Sequence, residues 1–207
     1  MINVDYQVYV PYVIFVIFSI IGNIFMIKES KENVNGIHDL KILRKIGITN
    51  IIFICLTLFF PPNSNYFGEE LENIYNFLPP MCLTYIPSLI TYGILMYKLG
   101  KMIEERWGYY LKIAGIIGIV ANSFLLPFPI TILFITALPP LAFNMITMTL
   151  SFIAGMLCVI EYFFIYLNGK KNDNRNFKNS GIFLIFGFLI QLILTVILTI
   201  IYSPLGF

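Results

Sequence analysis

The chain has 207 residues, of which 58% are hydrophobic and 12% charged, and its net charge is +2. Soluble domains carry about a quarter charged residues, so charges this few and this clustered exclude an ordinary water-exposed surface. No basic stripe interleaved with aromatics is present, which gives no support to a nucleic-acid partner.

Hydrocarbon is the solvent that suits such a chain. One crossing needs about 20 apolar helical residues, and a backbone in lipid must pair its polar groups within its own segment. The runs that qualify are 8–27, 43–60, 79–97, 109–126, 141–167 and 182–203. The first lacks the basic leader and small-residue cleavage site of a signal peptide, so it reads as a retained span. The expected fold is all-α: a polytopic transmembrane helix bundle of six spans forming a single domain over 1–207.

Between the fourth and fifth runs lies a further apolar piece, Pro127 to Pro140. Two prolines at each end leave about ten residues for a helix, too few to cross unaided. It reads as a short re-entrant or interfacial segment, with seven spans as the alternative.

All thirteen Lys and Arg fall in three clusters. These are Lys28, Lys31, Lys41, Arg44 and Lys45; then Lys98, Lys101, Arg106 and Lys112; then Lys170, Lys171, Arg175 and Lys178. With six spans the clusters share one face, which the positive-inside rule makes cytoplasmic, and both termini lie outside. Aromatic residues gather near span ends, at Tyr6, Tyr9 and Tyr12, at Trp107, Tyr109 and Tyr110, and at Tyr202, where the interface favours them.

An internal echo supports three hairpins in series. Tyr97-Lys98-Leu99-Gly100-Lys101 is matched by Tyr166-Leu167-Asn168-Gly169-Lys170 at an offset of 69, and Leu78-Pro79-Pro80 recurs as Leu138-Pro139-Pro140. Repeats of this kind occur in transporters.

One span carries a polar stripe. Asn144, Thr147, Ser151, Ala154, Cys158 and Glu161 follow at spacings of three and four and share an arc of about 100° on a helix. Glu161 is the only acidic residue inside a span. A charge at mid-bilayer costs about 2.5–3.5 kcal/mol or more. Glu161 is therefore protonated, or paired with a cation or donor, or facing a water-filled cavity. Its functional reading is an ion or proton site; the competing one is local satisfaction near Lys170 and Lys171. Gly187, Gln191, Thr195 and Thr199 on the sixth run, and Ala114, Gly118 and Asn122 on the fourth, follow i, i+4 spacing. They point to a polar core shared by the fourth, fifth and sixth spans, with Asn122 and Gln191 a turn or so beyond Glu161.

The inventory excludes several chemistries. Asp5, Asp39 and Asp173 all lie outside the spans, which removes a paired-aspartate protease. His38 is the single histidine, so zinc catalysis, bis-histidine haem and a Ser-His-Asp site are not available. No span lysine could hold retinal, and Gly169-Lys170 lacks the frame of a phosphate loop. Glu104-Glu105-Arg106 looks like the acidic pair of membrane CaaX-type proteases, but the further arginine and histidines of that pattern are missing. Cys55, Cys82 and Cys158 have no metal or disulfide spacing and read as apolar-segment thiols. No cofactor is expected.

Val10-Pro11-Tyr12 opening the first run and Tyr110-Leu111-Lys112-Ile113-Ala114-Gly115 opening the fourth resemble an archaeal family of small multi-pass membrane proteins of unknown function. That resemblance implies no activity. The leading expectation is a non-catalytic integral membrane protein, an accessory or assembly component whose partners are the bilayer and other membrane subunits. The alternative is a small-solute or cation/proton-coupled transporter using Glu161, Asn122 and Gln191, with Asn144 and Ser151 on the same stripe. A third reading is lipid-headgroup chemistry at the inner face, with Lys101, Arg106, Lys170 and Lys171 holding a phosphate.

Overall fold

The computed structural model describes residues 6–31, 41–58, 86–103, 106–124 and 140–202. Among these there are six helices and no strands. They are α1 (Tyr6–Glu29), α2 (Lys41–Thr57), α3 (a π-helix over Leu89–Leu95 continuing as an α-helix over Met96–Met102), α4 (Arg106–Ser123), α5 (Pro140–Lys171) and α6 (Arg175–Tyr202). The apolar piece expected to be re-entrant lies outside the described residues, except for Pro140, which opens α5. Proline is favoured at a first helical position, where its missing N–H has no partner to lose.

Among the described residues, three helical stretches are long and apolar enough to cross a membrane: Val10–Glu29, Phe152–Lys171 and Arg175–Leu198. Helix α1 starts earlier than its apolar run and keeps Pro11 inside it. Helix α2 has only 17 residues, and α4, with 18, carries Arg106 and Lys112.

Polarity runs inward. Ile17, Ile24, Ile52, Ile94, Phe152, Phe163, Phe186 and Val196 are exposed, whereas Asn23, Asn50, Thr91, Asn122, Glu161, Asn168 and Ser180 are buried. A water-soluble bundle would arrange these the other way round. Lipid tails offer polar side chains no partners, so such groups turn toward one another inside.

Each helix packs on its neighbours in the chain, and α6 closes back on α1. The result is a ring of three antiparallel hairpins, α1–α2, α3–α4 and α5–α6. The ring repeats three times at the level of single residues. Near the basic turns, the first helix of each hairpin buries Met26, Met96 or Ile165 completely and exposes Lys31, Lys101 or Lys170. The second helix buries Leu43, Leu111 or Phe177, then Ile46, Ala114 or Ser180, and exposes Arg44, Lys112 or Lys178.

Each second helix also presents a buried glycine followed by isoleucine: Gly47-Ile48, Gly115-Ile116 and Gly181-Ile182. A methyl group on Gly47 would lie 2.6 Å from Ile27 Cγ1, and one on Gly181 would lie 2.5 Å from the Tyr166 amide nitrogen. One on Gly115 would overlap the Tyr97 amide nitrogen. Glycine here lets two helix backbones approach, the device of small-residue packing in membranes.

The α5–α6 turn shows how tightly a hairpin closes. Asp173 adopts a left-handed backbone with φ 51°. The Asn174 N–H then donates to Gly169 O at 2.8 Å, giving the Schellman pattern that satisfies an end-of-helix carbonyl. Asn174 Oδ1 accepts from the Phe177 N–H at 3.0 Å and so caps α6.

Candidate functional site

The first helices of the three hairpins meet at one level of the ring. The Tyr92 hydroxyl donates to Asn23 Oδ1 at 2.8 Å, and the Tyr92 ring meets Tyr162 edge-on with centroids 5.8 Å apart. Asn23 and Tyr162 occupy corresponding positions of α1 and α5, counted from Lys31 and Lys170. Tyr92 lies one residue further from its own reference, Lys101, because the π-helix in α3 accommodates an extra residue over the same rise. The three side chains are thus equivalents around the ring axis.

The positions one residue earlier, Gly22, Thr91 and Glu161, each face the second helix of the adjoining hairpin. There they meet Leu184, Asn50 and Gly118, which are themselves equivalents. Gly22 makes room for Leu184, where an added methyl would come within 2.8 Å of Cγ. The Thr91 hydroxyl lies 2.6 Å from Asn50 Oδ1 and 2.7 Å from Pro87 O, and can donate to either. Asn50 Nδ2 in turn donates to Asn23 Oδ1 at 3.3 Å, and Asn23 Nδ2 donates to Ser19 O at 2.8 Å.

The third interface differs. Glu161 is 1% exposed, and its Oε1 has no hydrogen-bond partner among the described residues. That oxygen lies 2.7 Å from the point a Gly118 methyl would occupy, and the Tyr92 carbonyl oxygen lies 3.0 Å from the same point. The Gly–Leu and Thr–Asn pairs are satisfied by shape and by hydrogen bonding. The Glu–Gly pair packs the carboxylate closely against the glycine and leaves that acceptor unmade among the described residues.

The sequence-derived candidates divide. Glu161 and Asn122 come together, since Asn122 is buried and donates to Gly118 O at 2.7 Å, one turn beyond the carboxylate. Gln191 is half-buried on α6, one turn past Gly187, whose close neighbour is Phe18 of α1. The side chains of Asn144 and Ser151 lie outside the described residues, as does that of Arg106. Lys101, Lys170 and Lys171 are exposed at the hairpin ends. Cys55 and Cys158 are free and half-buried; Cys82 is outside the described residues.

The polar centre extends to helices other than those expected. Its hydrogen-bonded side chains come from α1, α2 and α3, and it reaches α4 and α5 through Gly118 and Glu161. Asn23, Asn50, Thr91 and Tyr92 were not singled out by sequence reasoning. Each lies within an apolar run, a readable signal once stripes are not required. No family model, curated protein or solved structure matches this chain.

Proposed function

We propose that the chain is a polytopic membrane transporter for a small solute, coupled to a cation or proton held at Glu161. Its six helices cross the bilayer as three hairpins, with the basic turns cytoplasmic and both termini outside. What carries the proposal is Glu161 Oε1, buried against α4 with no hydrogen-bond partner among the described residues. A packing role explains the other two equivalent interfaces but not this one. A buried acceptor left unmade costs about 1–3 kcal/mol, and an intramembrane carboxylate is a functional residue by default. Polar side chains from three helices beside it, with donors and acceptors already fixed in direction, give a solute something to exchange against.

The accessory or assembly reading keeps one specific support, the close glycine contacts that serve rigidity rather than movement. Flux in proteoliposomes separates the two. Protein with Glu161 intact is expected to carry a proton- or cation-dependent flux that Glu161→Gln abolishes. No flux under any imposed proton or cation gradient would contradict transport.

A further inference from the structure

The ring is not equally tight all the way round. The α1–α6 seam is packed along much of its length, and so is the α4–α5 seam, while α2 meets α3 only narrowly. The α1–α6 seam is apolar. Phe183 lies against Phe18 and Phe25 with ring centroids 6.0 and 5.6 Å apart, and Gly187 faces Phe18. Across α4–α5, Tyr110 meets Phe164 at 6.4 Å and Gly118 packs on Glu161. The glycines of α2 and α3 serve other contacts: Gly47 faces Ile27 of α1, and Gly93 and Gly100 face Ile119 and Lys112 of α4.

On the side of the basic turns the α2–α3 seam is shut, with Leu43, Ile46, Met96 and Leu99 fully buried. Away from the turns it thins out. Beyond Asn50, residues 51–56 of α2 are all partly or fully exposed. Between these two zones the link is polar. The Thr91 hydroxyl lies 2.6 Å from Asn50 Oδ1, and beside it the Tyr92 hydroxyl donates to Asn23 Oδ1. Both bonds run from the second hairpin to the first, and such bonds are individually modest in a membrane.

The link also has somewhere to go when broken. Thr91 has a second acceptor on its own helix, Pro87 O at 2.7 Å. Asn50 Nδ2 donates within its own hairpin, to Asn23 Oδ1 at 3.3 Å. Parting α2 from α3 therefore leaves the Thr91 hydroxyl and the Asn50 amide bonded, which avoids the cost of orphaned polar groups. Thr91 and Tyr92 both lie in the π-helix, a kind of segment that often falls at functional sites.

We infer that the α2–α3 seam is the moving joint of the ring. The first two hairpins part there, on the side away from the basic turns, as the Thr91 hydroxyl exchanges Asn50 for Pro87. The α1–α6 and α4–α5 seams hold. The inference takes its purpose from the transport reading, because the same parting separates Tyr92 from Asn23 and opens a way toward Glu161.

Paired spin labels on the full-length protein in lipid bilayers test this, in a background lacking Cys55, Cys82 and Cys158. One pair replaces Ile52 and Ile90 across α2–α3. The other replaces Val120 and Ile160, which stand at the equivalent positions across α4–α5; all four residues are exposed. The joint predicts two distance populations for the first pair and one for the second. Thr91→Val is expected to raise the ratio of parted to joined seams by about threefold, the effect of losing one such hydrogen bond. Thr91→Ser, which keeps the hydroxyl, should match the native protein. A single α2–α3 distance in the native protein overturns the joint, and so does an equal spread across α4–α5; neither reading depends on a variant folding. A fixed α2–α3 pair in protein that carries Glu161-dependent flux overturns the joint and leaves transport intact. A mobile pair in protein without flux supports the joint and removes transport instead.

Discussion

Tyr92 and Asn23 are 69 positions apart in the chain, yet the hydroxyl of one donates to the amide oxygen of the other at 2.8 Å in the middle of the ring. That bond joins the first two hairpins, and the edge-on contact between Tyr92 and Tyr162 joins the third. A single side chain on a π-helical segment therefore ties all three repeats together at the level of Glu161.

Tyr92→Phe tests that tie. The ring and its contact with Tyr162 stay, while Asn23 Oδ1 keeps only the longer bond from Asn50 at 3.3 Å. Interhelical hydrogen bonds in membranes contribute about 0.6 kcal/mol on average and up to about 1.7. The substitution is expected to destabilise by about 1 kcal/mol in a reversible unfolding assay. Tyr109→Phe, on a residue 61% exposed, should change nothing measurable.

Glycine substitutions should separate by what the new methyl meets. Gly115→Ala drives a methyl into the backbone of Tyr97, which cannot move without moving its helix. Overpacking of this kind costs about 1–3 kcal/mol and sometimes more, and the expected outcome is the loss of folded protein on size exclusion. Gly155→Ala meets the tip of the Phe188 ring at 2.6 Å, which can swing aside, so a much smaller loss is expected.

Glu161→Met separates function from stability. It removes a buried acceptor that has no partner among the described residues and fills similar volume with apolar atoms. In cation-free buffer the variant should be as stable as the native protein, or more so by up to about 1–3 kcal/mol, while flux is lost. A large destabilisation in the same buffer would show that the carboxylate serves structure.

Asp173→Gly should stabilise the α5–α6 turn. A left-handed backbone costs most L-residues about 1–2 kcal/mol, and Asp tolerates it better than most. A gain of about 0.5 kcal/mol is expected from relief of that strain, whereas Asp173→Val should lose more than this. Thermal unfolding of both variants checks the order.

Much of the architecture was legible because lipid leaves the chain few choices. Each described helix overlaps one of the apolar runs, since a 20-residue run in hydrocarbon can pair its backbone only as a helix. The echo of Tyr97 to Lys101 in Tyr166 to Lys170 marked two hairpins as repeats. The first hairpin was expected as well, but its residue-level match to the other two was not read, because matching residues such as Ser30 for Gly100 and Ile27 for Tyr97 share position but not identity. Glu161 and Asn122 were legible as polar residues at depth. The contribution of α1, α2 and α3 was not. A π-helix leaves no pattern in an apolar sequence, and without its extra residue Tyr92 does not align with Asn23 and Tyr162.

The most direct test of the central claim asks whether the three basic turns share one side of the membrane. Single cysteines at Lys31, Lys101 and Asn172, in a background lacking Cys55, Cys82 and Cys158, are challenged with a membrane-impermeant maleimide on sealed right-side-out vesicles. All three positions are exposed on the folded chain. The account predicts that none reacts until the vesicles are opened, after which all three do. Reaction at Asn172 from outside while Lys101 stays protected would contradict the three-hairpin crossing and the shared depth of Asn23, Tyr92 and Glu161.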